Sequence, residues 1–352
     1  MIWKDGKSLE NKLLKKYQSS IRYKIKDTDS YKTYWQPLKE KLVSINKVHL
    51  SSDGVFHLIS LSALWNPINS KYLCDEIDIE LLNNTKDLSN TWDDTLSSEG
   101  AVLIGFPEYK SNDLVNNKAV NKQLSRAILS DTTIRFIQKD GKITPLPGTK
   151  KEIQKIDSIL SGVVSKVDVF MDINATEQRV KQIRSPRILH IATHGFFLKD
   201  KDLLNSKSSS GLTSKTYLQN PLMRSGLLLA NAENALIKGG NGVLTAYEVQ
   251  NLNLDMTEIV VLSACETGIG DIRNGEGVYG LHRALQSAGA RATMMSLWTV
   301  SDVATQKLMT LFYHFWIREN LPKKEAFKQA QYELRTEYPA PYYWASFVLI
   351  GH

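Results

Sequence analysis

The sequence predicts an α/β fold: a largely parallel sheet with helices on both faces. Two observations carry this. From about residue 98 onward, short runs of strand length alternate with segments whose apolar residues recur at helical spacing. The first of those runs, Ala101-Val-Leu-Ile-Gly105, is apolar throughout, as a strand covered on both faces requires. No period of 20 to 50 residues is visible, so the alternation is not that of a repeat array.

Residues 1–20 read as a polar, Lys-rich lead-in helix with Leu9, Leu13 and Leu14 on one side. Val48-His-Leu50, Ser52-Asp-Gly54 and Val55-Phe-His-Leu58 read as a hairpin closed by an Asp-Gly turn. Residues 89–99 are polar and turn-like, so residues 1–97 form a smaller N-terminal region and residues 98–352 the main domain. Within the latter, Ile153, Ile156, Ile159 and Leu160 mark a helix over 150–160, followed by a strand over 167–171. Asn174-Ala-Thr-Glu177 has capping-box spacing and opens another helix. Strands follow at 187–192 and 258–263, with a non-periodic Ser/Lys-rich stretch, 199–218, reading as a long exposed loop between them. A helix over 276–288 ends at Gly289, and a strand covers 292–297. Ser301 is placed to cap a helix over 301–316. A last helix, 323–338, leads to a strand over 346–350.

With 42% hydrophobic and 23% charged residues, the chain has the balance of a soluble globular protein. It has no apolar run of 18 residues and no apolar core near its first residues, so neither a membrane span nor a signal peptide is expected. Cys74 and Cys265 are too few for a disulfide framework or a multi-cysteine zinc site, and a reducing cytoplasm fits them. The net charge of +7 lies wholly in residues 1–50, which hold 12 Lys/Arg against 5 Asp/Glu. Such an arm could meet nucleic acid, an acidic partner or anionic lipid, but it lacks a dense basic run with interleaved aromatics. A solvated helix face is the simpler reading, and no nucleic-acid partner is expected.

Two strands end in reactive residues: Ile188-Leu-His-Ile-Ala-Thr-His194-Gly195 and Ile259-Val-Val-Leu-Ser-Ala-Cys265. In a parallel α/β sheet functional groups collect beyond the carboxyl ends of strands, so these stations can meet. A thiol becomes a nucleophile as the thiolate, which a neighbouring imidazole produces. The N–H groups of Gly195 and Cys265 could together form an oxyanion hole. His190 and His194 stand four apart, the spacing of a helical zinc pair, but their setting is a strand, so His190 reads as a satisfied interior histidine or one supporting the site. Cys74 reads as core, and Phe312, Tyr313, Phe315 and Trp316 as packing. Neither Ser225 nor Ser263 sits in a Gly-x-Ser-x-Gly elbow. The glycine-rich stretch 268–277 lacks the spacing and the Gly-Lys-Ser/Thr ending of nucleotide loops, so it reads as a loop beside the nucleophile, and no cofactor is expected. Glu276 could support that loop or contact substrate.

The flanks His190-Ile-Ala-Thr-His-Gly-Phe-Phe197 and Val261-Leu-Ser-Ala-Cys-Glu-Thr-Gly268 closely resemble those of the CHAT peptidases, of the caspase, gingipain and separase clan. The segments 52–64, 146–152, 221–230 and 289–302 resemble the same family, so the likeness spans roughly residues 30–352. It implies a caspase-like three-layer α/β sandwich and a His194/Cys265 dyad with no obligatory third member. In separase-like members an acidic residue beyond the strand after the Cys strand lines the S1 pocket. Asp302 matches that position, implying a basic P1 residue. Read from the residues alone, Asp302 equally complements the dipole of its own helix. The resemblance also implies a bacterial regulatory or defence setting with one or few protein substrates, such as a gasdermin-like pore-former. Control would come from a separate activating partner or from cleavage within 199–218. A catalytically silent scaffold that binds a partner protein is the competing class.

Overall fold

The computed structural model describes residues 6–89, 99–110, 138–139, 142–198, 220–238, 240–263, 271–273, 277–299 and 301–351. Eight strands form one sheet: β1 (Lys47–Ser51), β2 (Asp78–Leu82), β3 (Ala101–Pro107), β4 (Val167–Asp172), β5 (Ile188–Ala192), β9 (Ile259–Ser263), β10 (Ala292–Ser296) and β11 (Phe347–Gly351). A smaller antiparallel sheet joins β6 (His194–Phe197), β7 (Ser225–Leu228) and β8 (Val243–Thr245). The main sheet has the order β1-β2-β11-β10-β9-β5-β3-β4, and every neighbouring pair is parallel except β10 and β11.

The central strands β5, β9 and β10 are buried along their whole length, which explains their lack of polar alternation. Successive residues feed opposite cores. Ile188, Ala192, Ile259 and Val261 face one, with Ile153, Ile156, Leu308, Phe312 and Phe327. Leu189, Ile191, Val260 and Leu262 face the other, with Val180, Val249, Leu281 and Leu285. The first layer holds α1 (Leu14–Tyr23), α2 (Pro147–Leu160), α6 (Asp302–Tyr313) and α7 (Lys323–Glu337). The second holds α3 (Glu177–Gln182), α4 (Ala246–Val249) and α5 (Leu281–Ser287). The three-layer α/β class expected from the sequence is the class observed. Phe312, Tyr313, Phe315 and Trp316 are buried, as expected of packing residues.

Several local expectations are corrected. Residues 52–58 form no hairpin: Gly54–Leu58 is a 3₁₀ helix, and β1 pairs in parallel with β2. Asp53 accepts a hydrogen bond from the Gly54 N–H, so the Asp-Gly pair opens a helical turn instead of closing two strands. β1 and β2 extend the main sheet past β11, so this N-terminal region is continuous with it. The helix expected over 276–288 begins only at Leu281, because Gly277–Tyr279 pairs with Asp271–Arg273. Thr176, and not Asn174, caps α3, through the Arg179 N–H. Cys74 is exposed at the surface, with Arg335 Nη1 at 4.0 Å from its sulfur, and is not core. The expected loop over 199–218 lies outside the described residues.

Gly226 in β7 shows how tightly the small sheet is built. A Cβ there would lie 2.4 Å from the Leu244 carbonyl oxygen and 2.8 Å from the Phe196 ring. The first obstacle is backbone and cannot rotate away. Gly226→Ala is expected to lower stability by about 3 kcal/mol, at the upper end of overpacking costs. A urea midpoint unchanged from the parent would refute it.

Candidate active site

His194 lies at the carboxyl end of β5, where the chain crosses from the main sheet into β6. Its neighbour Thr193 makes the crossing rigid. The Thr193 N–H donates to the Ser263 carbonyl at 3.3 Å, and its hydroxyl donates to the Leu228 carbonyl. The Tyr109 hydroxyl in turn donates to the Thr193 hydroxyl oxygen at 3.0 Å, and the Tyr109 ring lies 5.5 Å from the His194 ring, tilted by 38°.

His194 is 4% exposed, and Nε2 lies 2.7 Å from the Thr144 carbonyl oxygen. A carbonyl only accepts, so Nε2 carries the proton and the lone pair of the neutral ring sits on Nδ1. Nδ1 is buried and has no hydrogen-bond partner among the described residues. Burial lowers the His194 pKa below 6.5, and the Thr144 hydrogen bond opposes that shift. The site therefore presents a neutral base at neutral pH.

Gly195 occupies a defined parity in the ladder. The Leu198 N–H bonds to the Arg224 carbonyl and the Leu229 N–H to the Gly242 carbonyl, each at 2.8 Å. Hydrogen-bonded and non-bonded pairs alternate along an antiparallel ladder. With the observed register, His194 and Phe196 bond to Leu228 and Gly226, while the N–H of Gly195 points away from β7. β7 is the only strand beside β6 among the described residues.

Asp302 opens α6, and its Oδ2 accepts the Gly148 N–H at 2.6 Å, at the start of α2. A Cβ on Gly148 would fall 2.4 Å from that carboxyl group, so the glycine permits the approach. Burial raises the Asp302 pKa and the buried Glu152 carboxyl adds to this, against the Gly148 N–H and Lys151. Asp302 thus complements the N-terminus of α2 as well as its own helix. His194 and Asp302 are brought to one short stretch of chain, through Thr144 and Gly148. Cys265 and Glu276 lie outside the described residues.

His190 is fully buried on the opposite face of β5 from Leu189 and Ile191. Its Nε2 meets Glu152 Oε1 at 2.8 Å and its Nδ1 meets the Tyr313 hydroxyl at 3.2 Å. With both ring nitrogens so occupied, it ties α2, β5 and α6 together. Sequence reasoning assigned no role to Thr144, Tyr109 or Glu152. Thr144 contributes only a backbone carbonyl, which leaves no side-chain signal, and Glu152 stood within a segment of family resemblance without a stated partner.

The chain belongs to the CHAT domain family, whose model matches residues 29–352. Human tetratricopeptide repeat protein 28 is 23% identical over 316 residues, covering 85% of this chain and 12% of that protein. The chain thus spans a small fraction of that relative's length. Two solved structures are similar at lower levels. The Arg-specific cysteine proteinase gingipain R aligns at 10% identity, covering 74% of this chain and 47% of its own, with a TM-score of 0.42. A complex of the pro- and mature domains of Porphyromonas gingivalis RgpB aligns at 11%, covering 90% and 67%, with a TM-score of 0.47. Among the described residues no helix is long and apolar enough to cross a membrane.

Proposed function

We propose that the chain is a cysteine endopeptidase in which His194 activates Cys265. The observation that supports this most directly is the hydrogen bond from Thr193, next to His194, to the Ser263 carbonyl at 3.3 Å. Cys265 follows Ser263 by two residues, and two trans peptides span at most about 7.6 Å between Cα atoms. The bond therefore ties the strand end that carries His194 to the strand that leads, two residues further on in the sequence, to Cys265. Family membership supports the same reading.

Nδ1 of the neutral His194 takes the Cys265 proton, and the sulfur attacks the peptide carbonyl carbon, forming a C–S bond as the C=O π electrons move to oxygen. The N–H groups of Gly195 and Cys265 hold that oxyanion. Collapse breaks the C–N bond, and the leaving amine takes the proton from Nδ1. A water then gives its proton to Nδ1 and adds to the thioester, and the C–S bond breaks to return the thiol. Substrates lie in extended conformation and are cleaved after Arg or Lys held by Asp302, with Glu276 supporting the nucleophile loop or contacting substrate. One or few cytoplasmic protein targets of a bacterial regulatory or defence pathway, such as a gasdermin-like pore-former, complete the proposal, with control by an activating partner or by cleavage within 199–218.

A fluorogenic peptide panel varied at P1 tests it. Turnover confined to Arg and Lys peptides, reduced at least about 100-fold in Asp302→Asn, is the expected result. Turnover after another residue would remove Asp302 from the S1 pocket while keeping the dyad. No turnover, together with no labelling of Cys265 by a thiolate-directed probe, would favour the scaffold. Because Cys74 is exposed, the probe signal is read against Cys265→Ala.

A further inference from the structure

The stretch that carries the Thr144 carbonyl is itself held from both sides. Asp302 accepts the Gly148 N–H on one side. On the other, Glu233 Oε1 accepts the Ile143 N–H at 2.7 Å. Glu233 stands in the first turn of the helix Ala232–Lys238, where its carboxylate could have served that helix's own N-terminus; Oε1 is instead turned to Ile143. Its backbone N–H donates to the Tyr109 carbonyl at 2.9 Å. One residue is therefore bonded to both chain segments that flank the His194 ring: the one whose carbonyl receives Nε2–H and the one whose aromatic ring lies against the imidazole.

We propose that Glu233 is a positioning residue for His194. By holding Ile143 it fixes the Thr144 carbonyl, and through it the Nε2–H tautomer and the ring orientation that leave the lone pair on Nδ1. Thr144 is the residue after Ile143, so loss of the bond to the Ile143 N–H removes one restraint on that carbonyl. Among the described residues it leaves only the short pairing of Ile143 with Gln138 as a strand pairing of that segment. A displacement of about 1 Å in a reacting geometry costs on the order of 100-fold in rate. A glutamine keeps an oxygen acceptor for the Ile143 N–H, whereas an alanine removes it. The effect on rate rests on the peptidase reading; the effect on the His194 tautomer does not.

The test compares Glu233→Ala and Glu233→Gln in the full chain by imidazole ¹⁵N NMR and by kinetics on the best peptide of the P1 panel. In the parent and in Glu233→Gln, His194 is expected as a single Nε2–H tautomer. In Glu233→Ala, the ¹⁵N shifts move toward a tautomer mixture, kcat falls about 10- to 100-fold and KM stays within about twofold. Should Glu233→Ala fail to fold, Glu233→Asp, one methylene shorter, is expected to show the same change in smaller degree. An unchanged tautomer in a folded Glu233→Ala or Glu233→Asp overturns the proposal whether or not the parent cleaves peptides. A changed tautomer in a chain that cleaves none supports it and counts against the peptidase reading alone.

Discussion

His194→Ala and Cys265→Ala are each expected to lower kcat/KM by at least about 1,000-fold, with the double variant no worse than either single one. Residues that act as one unit lose nearly all their effect when the first is removed, so the losses do not add. A further loss in the double variant would show that the two act separately and would sink the dyad. The pH profile checks the same assignment. His194 accepts a proton only when neutral, and burial places its pKa below 6.5. Its protonated form therefore appears only at more acid pH, and the acid limb of kcat/KM falls below pH 6.5. A limb at or above that value would mean that the imidazole sits in a more polar setting than the structure gives it. The limb is measured on the free enzyme, with substrate well below KM.

The second large effect is on stability. His190→Leu is expected to cost about 3–5 kcal/mol, the range for removing one partner of a buried ionisable pair. Glu152 is wholly buried, its Oε1 bonded to His190, and its Oε2 has no partner among the described residues. Without the imidazole this carboxyl group keeps no hydrogen bond to offset its desolvation. Tyr313 also loses its contact with the ring, which lies 5.6 Å from its own. Tyr313→Phe, which removes a single hydrogen bond, is expected to cost only about 1 kcal/mol. Urea unfolding of the two variants side by side gives the comparison. Equal losses would show that the tyrosine hydroxyl, and not the imidazole, is the centre of the network.

The central strands β5, β9 and β10 were legible because burial on both faces demands apolar runs, as in Ile259–Ser263 and Ala292–Ser296, whereas β2 was not foreseen and is fully buried at only two of its five positions. The helices α2 and α7 were legible for the opposite reason, since each turns a single stripe toward the core. The error at Asp53-Gly54 has a specific cause. Turn chemistry is local, but the partner of β1 is chosen by tertiary contacts, and β2 offered a parallel edge. His194 and Gly195 stood out because they close an apolar strand. The residues around them did not, since the Thr144 carbonyl, the Ser263 carbonyl and the Ile143 N–H are main-chain groups that any side chain could carry. Glu233 acts on one of these groups, so its place in the site can be seen only once the chain has folded.

The pairing of β2 with β11 brings Leu81 opposite Ile350. This contact joins segments from near the two ends of the sequence, and the loop it closes contains every other strand of the main sheet except β1. During synthesis the centre of the sheet, β3, β4, β5 and β9, can assemble as it leaves the ribosome, but β1 and β2 have no docking edge until β11 has emerged. Closing so long a loop is entropically slow, and an unpaired strand edge is open to wrong partners in the interval. Refolding of this protein should accordingly show a late phase in which the layer containing α1 becomes protected from amide exchange after the strand that carries His194.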